Sequence, residues 1–299
     1  MFDDKILKAL SPSKDVLLLA VNATQTVNES MRRIKAYPPS MLHLGRAMMS
    51  ALLLQSLSDS DEAETISLQW IAKGPFGGLF AEARGQGHVR GTIDNPQAAM
   101  DDLSTRLGPG ILQVRRAHPN PNVTLGSSGH VEARGEVGED LVEYLEKSEQ
   151  RHCGMHLYVK IKYNDELKDN FPFEVEKAVG YLVHILPGEN NTASLATIAS
   201  WDALMKDLGP LNLWLWDESL DPALQILQFL TAKSEPDIRV ESKVSFACTC
   251  SEDRASRALA LANKLDPLPD DPLSKVDKAV IKCEFCGLVY EIPLPGELH

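Results

Sequence analysis

Apolar and polar positions along the chain alternate with two periods, and each predicts a different element. The run Val16-Leu17-Leu18-Leu19-Ala20-Val21 has no polar break and predicts a buried strand. Thr65 to Ile71 alternates polar with apolar, the pattern of a half-exposed strand. Met41, Leu44, Met48, Leu52 and Leu53 recur at helical spacing, and Ser40 stands where it could cap that helix. A shorter helix is expected over Val27 to Ile34, stopped by Pro38-Pro39. Gly74 to Gly78 is a turn, and Leu79–Ala83 with His88–Ile93 reads as a hairpin around Gly85-Gln86-Gly87. Further strands are expected at Ile111–Arg115, Met155–Lys162 and Ala178–Leu186, and a helix at Asp140–Gln150.

These signals make residues 1–187 one mixed α and β domain with an antiparallel-rich sheet. Pro187-Gly188-Glu189-Asn190-Asn191 is a loop and a plausible boundary. Residues 188–243 then read as a helical linker, in pieces broken at Gly209-Pro210 and Asp221-Pro222. Three of the four tryptophans fall here, and Leu211-Asn212-Leu213-Trp214-Leu215-Trp216 is too apolar to face water. That run must cover something or be covered. Residues 244–299 form a small C-terminal domain whose own core is poor, so it needs a staple. The fold class is therefore α+β, in three parts.

The formal net charge of −12 sets the field around this chain. A nucleic-acid binder relies on a basic surface to displace counterions, and the overall charge opposes that and docking on anionic lipid. No apolar stretch approaches the ~20 residues of a membrane helix, and the N-terminus lacks the pattern of a secretory signal. The expectation is a soluble cytoplasmic protein with resting thiols reduced.

Four of the five cysteines lie in the tail, as Cys248-Thr249-Cys250 and Cys283-Glu284-Phe285-Cys286, with 32 residues between the pairs. Two close pairs joined by a loop are what a tetrahedral four-thiolate zinc site requires. Gly287 suits a tight knuckle beside the metal. Four protein ligands leave no position for water, so hydrolytic chemistry is disfavoured and no enzymatic activity is expected. The plainest role is a structural staple. The first pair, however, is C-x-C rather than C-x-x-C. Both pairs are also close enough in sequence to close into local disulfides. Thiolates are the species oxidants attack, so oxidation would remove the ligands and unfold the tail.

Other candidates are weaker. Cys153 reads as a buried, inert thiol. His152 and His156 flank a strand start, which argues against a metal pair. The glycine-rich turns lack a phosphate-loop pattern, and Asp101-Asp102 and Asp270-Asp271 fit capping and solvation.

The cysteine pattern, with Asn28-Glu29, Arg32-Arg33, Leu44-Gly45-Arg46, Gly74-Pro75, Gly87-His88-Val89-Arg90-Gly91, Asn95-Pro96 and Tyr290, resembles the redox-regulated heat-shock chaperone family of about 33 kDa over nearly the whole length. The resemblance implies an ATP-independent holdase, latent when reduced with one Zn2+ per chain on Cys248, Cys250, Cys283 and Cys286. Peroxide with an unfolding stress, or hypochlorite alone, would form the disulfides Cys248–Cys250 and Cys283–Cys286, the second pair first. Zinc release would unfold the tail and linker. Unfolded client proteins would then bind, the active form being a homodimer, and Leu211, Leu213, Trp214, Leu215 and Trp216 would mask the client site until that moment. The 32-residue gap is long for the family, and Pro267, Pro269 and Pro272 interrupt a region that is usually helical.

Two other classes compete. A constitutive zinc-ribbon module for nucleic acid or protein is one, although residues 244–299 carry six Lys and Arg against nine Asp and Glu. A thiol–disulfide oxidoreductase using Cys283 and Cys286 is the other. There the β-like Leu288-Val289-Tyr290 stands where a redox motif needs a helix.

Overall fold

The computed structural model describes residues 2–58, 64–85, 87–98, 106–118, 128–167, 171–188, 193–214, 216–232, 234–265 and 278–293. The chain divides into two units, Met1–Phe246 and Ala247–His299. The segment 188–243 therefore belongs to the first unit.

The first unit opens with β1 (Lys5–Leu10), β2 (Val16–Asn22), α1 (Thr24–Ile34) and α2 (Pro38–Ser56). It continues through β3 (Thr65–Ala72), β4 (Leu79–Arg84), β5 (His88–Ile93), β6 (Gly110–Ala117), β7 (Ser128–Ala133) and α3 (Val137–Ser148). Two long strands follow, β8 (Cys153–Tyr163) and β9 (Phe173–Ile185). Then come α4 (Leu195–Leu208), a 3-10 turn at Leu211–Leu213, α5 (Pro222–Leu230), β10 (Asp237–Lys243) and β11 (Ser245–Phe246). One sheet has the order β10-β1-β2-β9-β8 and a second the order β11-β5-β4-β3-β6-β7. All pairs are antiparallel except β11 beside β5.

The long amphipathic repeat forms α2, which runs between the sheets and touches β3, β4 and β5 on one side and β2, β8 and β9 on the other. That is why it is apolar almost all round, with Met41, Leu44, Met48, Leu52 and Leu53 fully buried. The proline pair does not merely stop α1. Helix α1 ends on Lys35 in the left-handed conformation, and Pro38 and Pro39 open α2, where a missing N–H costs nothing. Ser40 is not the cap. Tyr37 holds that position, and the Ser40 hydroxyl donates to the Asn95 carbonyl at 2.7 Å.

Every residue of β2 is buried, as its unbroken apolar run requires. Leu17, Leu19 and Val21 face the core around α2, while Val16, Leu18 and Ala20 face a second apolar layer. That layer comes from the linker: Leu211, Trp214, Ala223, Ile226, Leu227 and Leu230 close over Leu7, Ala9, Val179, Tyr181, Val183 and Ile185. Burial of each large aliphatic or aromatic side chain here is worth roughly 1.5–3 kcal/mol.

The linker is not wholly helical, contrary to expectation. Residues 237–243 form β10, which pairs along β1. The alternation Ile238, Val240 and Ser242 against charged neighbours is a strand period, and the open edge of β1 supplies its partner. Strands β1 and β7 are not among the elements that the sequence pattern predicts. The breaks at Gly209 and Asp221 do delimit the pieces. Gly209 ends α4, and the Asp221 carboxylate caps α5 by accepting from the Leu224 amide at 3.0 Å.

The second unit contains α6 (Glu252–Leu265) and an antiparallel pair, β12 (Lys278–Lys282) with β13 (Val289–Pro293). Its buried hydrophobic side chains among the described residues are Ala255, Ala279, Cys286 and Ile292. The proline-rich run at 267–272, Asp101-Asp102, Asp270-Asp271, Gln86 and Leu215 lie outside the described residues.

Candidate metal centre

The β12–β13 hairpin builds one half of the cysteine cluster. Ile281 pairs with Tyr290 and Lys282 with Val289, so the chain must reverse over Cys283 to Leu288. The Cys283 amide donates to the Leu288 carbonyl and the Gly287 amide to the Cys283 carbonyl, both at 2.8 Å. Gly287 sits at φ 72°, a conformation open to glycine at no steric cost. This reversal aims the Phe285 and Cys286 amides at the Cys283 sulfur, and the Leu288 amide at the Cys286 sulfur. Backbone donors directed at two sulfurs make a cradle suited to thiolates.

The other half precedes α6. The Ser251 hydroxyl accepts from the Arg254 amide at 3.2 Å and so caps that helix, with Glu252 and Asp253 in its first turn. The Arg254 guanidinium reaches back to the Thr249 carbonyl at 2.8 Å and its hydroxyl at 2.6 Å. This clamp fixes the residue between Cys248 and Cys250.

The four sulfurs converge. Cys248 Sγ is 3.7 Å from Cys283 Sγ, and Cys250 Sγ is 3.3 Å from Cys286 Sγ. All four lie within 4.8 Å of one another. A tetrahedron of zinc–sulfur bonds of about 2.3 Å has edges of about 3.8 Å, so the cluster has the size and the donor chemistry zinc needs. Among the described residues it is the one grouping of three or more His, Cys, Asp or Glu side chains with this convergence.

Electrostatics within the cluster is uneven. Burial raises the Cys250 thiol, but the Tyr290 hydroxyl, donating at 3.0 Å, and the neighbouring thiols outweigh it and bring it down to about 7. Burial pushes Cys283 and Cys286 up instead. Tyr290, held to the Cys250 sulfur and partly desolvated, rises to about 12 and stays a donor. Tyr290 is visible in the motif, but its bond to Cys250 is not, because the two are forty positions apart and meet only through the hairpin.

Outside the cluster, Cys153 opens β8 and packs against the main core. Burial raises its thiol to about 12, with Glu149 and Glu146 adding to the rise and Arg151 opposing it. That is the state of an inert thiol. His152 and His156 lie before and within a strand, so they do not share a helical face.

The linker residues named from sequence divide. Leu211 and Trp214 are buried, Trp216 is half-buried, and Leu213 is 71% exposed. Sequence did not reveal their partners. Trp214 stacks on Tyr181 and packs on Phe229, and the Lys177 ammonium lies 4.3 Å from the Trp216 ring centre. Lys177 also pairs with Glu218 at 3.2 Å, and Lys5 with Asp221 at 3.3 Å.

The family comparison covers both units. The model of the Hsp33 protein family matches residues 4–293. The chain belongs to the Hsp33 family. Among its Hsp33 relatives, a 33 kDa chaperonin of Thermus thermophilus is 32% identical over 299 residues, covering 96% of this chain and 83% of that one. The 33 kDa chaperonin of Enterococcus faecalis is 28% identical, covering 96% and 93%. The crystal structure of the Thermotoga maritima 33 kDa chaperonin, a heat shock protein 33 homolog, superposes with a TM-score of 0.79 at 20% identity, covering 98% of this chain and 95% of that one. Hsp33 membership makes the chain a heat-shock chaperone, and the antiparallel-rich α+β fold with a C-terminal cysteine cluster agrees with it.

Proposed function

We propose that this Hsp33 member is an ATP-independent holdase, latent while its four thiolates hold one zinc ion and activated when they are oxidised. The convergence of four sulfurs in a unit with so few buried side chains among its described residues is the observation that carries this reading. Residues 1–187 bind client and dimerise, 188–243 form the releasable linker and 244–299 the redox switch. Zinc on Cys248, Cys250, Cys283 and Cys286 would supply the cross-link that this small core lacks, structural sites being worth roughly 10–16 kcal/mol.

Each peroxide molecule takes two electrons from a cysteine pair. One sulfur is oxidised with loss of water, the second displaces the remaining oxygen, and a disulfide and a second water result. The pairs Cys248–Cys250 and Cys283–Cys286 join neighbours in sequence, so both bonds persist after the tail has lost its structure. Each disulfide uses up both ligand sulfurs of its pair, so closing the local pairs dismantles the cluster. Once the ligands are lost, the unit keeps too little apolar burial to stay folded.

The apolar layer of the linker then has a second role. Its stripe covers one face of the five-stranded sheet, and release of that stripe would expose both surfaces to unfolding polypeptides. The protein works without membrane or nucleic acid in this reading, and its setting is the cytoplasm.

The test is a paired measurement of zinc and free thiols with suppression of aggregation of a heat-unfolded protein, before and after peroxide at raised temperature. One zinc and five thiols should fall to none and one as holdase activity appears. Activity that is already full in the reduced, zinc-loaded protein would overturn the reading, as would oxidation without any gain.

A further inference from the structure

Helix α4 is held less deeply than α5, the other described α-helix of the linker. None of its residues is fully buried. Ile198, Trp201, Met205 and Leu208 make a single half-buried stripe against the sheet. Two polar ties add to it: the Thr197 hydroxyl donates to Asp15 at 3.2 Å, and the Trp214 indole N–H donates to the Leu208 carbonyl at 2.9 Å.

Met205 holds a particular place in that stripe. Its terminal methyl lies 3.0 Å from where a Cβ on Gly154 would stand, so the absence of a side chain on β8 forms the notch that seats it. Tyr181 borders the same face, its ring set among the aromatic and apolar side chains of this layer. The other described methionines sit differently. Met31, Met41, Met48 and Met49 are fully buried in the core around α2. Met155 lies on the opposite side of β8, where its sulfur accepts from the Ser50 hydroxyl at 3.8 Å. Met205 is thus the described methionine that combines partial access with a position in the linker contact.

We propose that Met205 is a second oxidant-sensitive site, whose conversion to the sulfoxide loosens α4 from the sheet independently of the cysteines. The thioether sulfur attacks the terminal oxygen of peroxide or hypochlorite. The O–O or O–Cl bond breaks, a sulfur–oxygen bond forms, and sulfur loses two electrons while the oxidant leaves as water or chloride. A flexible apolar end becomes a polar, bulkier one in a notch with room for neither. The loss falls on an element with little other anchorage, so the local opening of α4 increases. This inference rests on the redox-holdase reading for its consequence, but its chemistry does not pass through the cysteine cluster.

Thiol reductants return disulfides to thiols and leave methionine sulfoxide untouched, which separates the two events. The full chain is treated with hypochlorite, then with dithiothreitol and zinc. Zinc and thiol content report the cysteines, peptide mass spectrometry reports Met205, and hydrogen exchange reports residues 195–208. The expected result is full recovery of zinc and thiols, with exchange in α4 remaining roughly tenfold faster, the scale for making a half-buried apolar group polar. Methionine sulfoxide reductases should reverse it, and Met205→Leu should not show it. Met205 left as thioether at doses that consume the four tail thiols would overturn the proposal. So would residual exchange that is the same in Met205→Leu. Either outcome leaves the cysteine switch standing, whereas failure of zinc to leave on oxidation would strike that reading alone.

Discussion

The ring of Trp214 stacks on Tyr181 with centroids 5.9 Å apart and planes 17° from parallel. One residue comes from the linker and the other from the middle of β9, so a single aromatic contact joins the would-be mask to the surface it covers. Trp214 is also fastened from its own side, its indole N–H donating to the Leu208 carbonyl at 2.9 Å.

Replacing Trp214 tests how far that contact holds the linker. Trp214→Ala removes the stack and the packing on Phe229, and loss of a large buried aromatic costs about 3–5 kcal/mol. The first unit should keep its core around α2, while hydrogen exchange over 211–230 accelerates. Holdase activity in the reduced protein should rise. Unchanged exchange would show that the linker is held elsewhere.

Tyr290 tests the cluster without touching a ligand. Tyr290→Phe deletes the hydroxyl that donates to Cys250. Removal of such a supporting hydrogen bond typically lowers metal affinity about 10–100-fold, so competition with a chromophoric chelator should show a loss of that order. The variant should also release zinc at a lower oxidant dose.

Asp221 serves two contacts at once, as the cap of α5 and as partner of Lys5. Asp221→Ala should destabilise α5 by about 1–2 kcal/mol through loss of the cap. Asp221→Asn keeps the cap and loses the charge, so its effect should be smaller and its salt dependence reduced to that of the remaining Lys5–Glu241 pair at 3.3 Å. Thermal unfolding at low and high salt distinguishes the two.

His156 should make the stability of the first unit depend on pH. It lies on β8 facing Tyr181, with ring centres 6.2 Å apart. Burial, and secondarily the Arg46 charge, hold its imidazolium below the usual range. The folded form therefore binds its proton later than the unfolded chain does. Its stability contribution is complete above the ordinary histidine value near 6.5 and declines as pH falls through that value toward the folded one. Lowering pH from about 7.5 to about 5.5 should reduce the melting temperature of wild type more than that of His156→Gln. Equal reductions would remove His156 from the account.

Much of this protein was legible in its residues one after another. The six-residue apolar run at Val16 to Val21 marked a buried strand, and the repeat from Met41 to Leu53 marked a long helix, because side-chain period follows backbone geometry. The four cysteines announced themselves by type and local spacing, since each pair needs only one turn to present two sulfurs. Asp221-Pro222 marked a break between helical pieces for the same local reason.

Tertiary structure alone decided what those local signals meet. Nothing near Val240 in sequence says that β1 leaves an edge for residues 237–243 to fill, so a segment read as helical became a strand. The second face of β2 had to be covered, but only the folded chain makes Leu211, Trp214 and Ile226 its cover. Likewise the bond from Tyr290 to Cys250 and the seat of Met205 over Gly154 join residues far apart along the backbone. Periodicity and spacing are properties of neighbours, whereas these contacts depend on which surfaces the closed fold brings face to face.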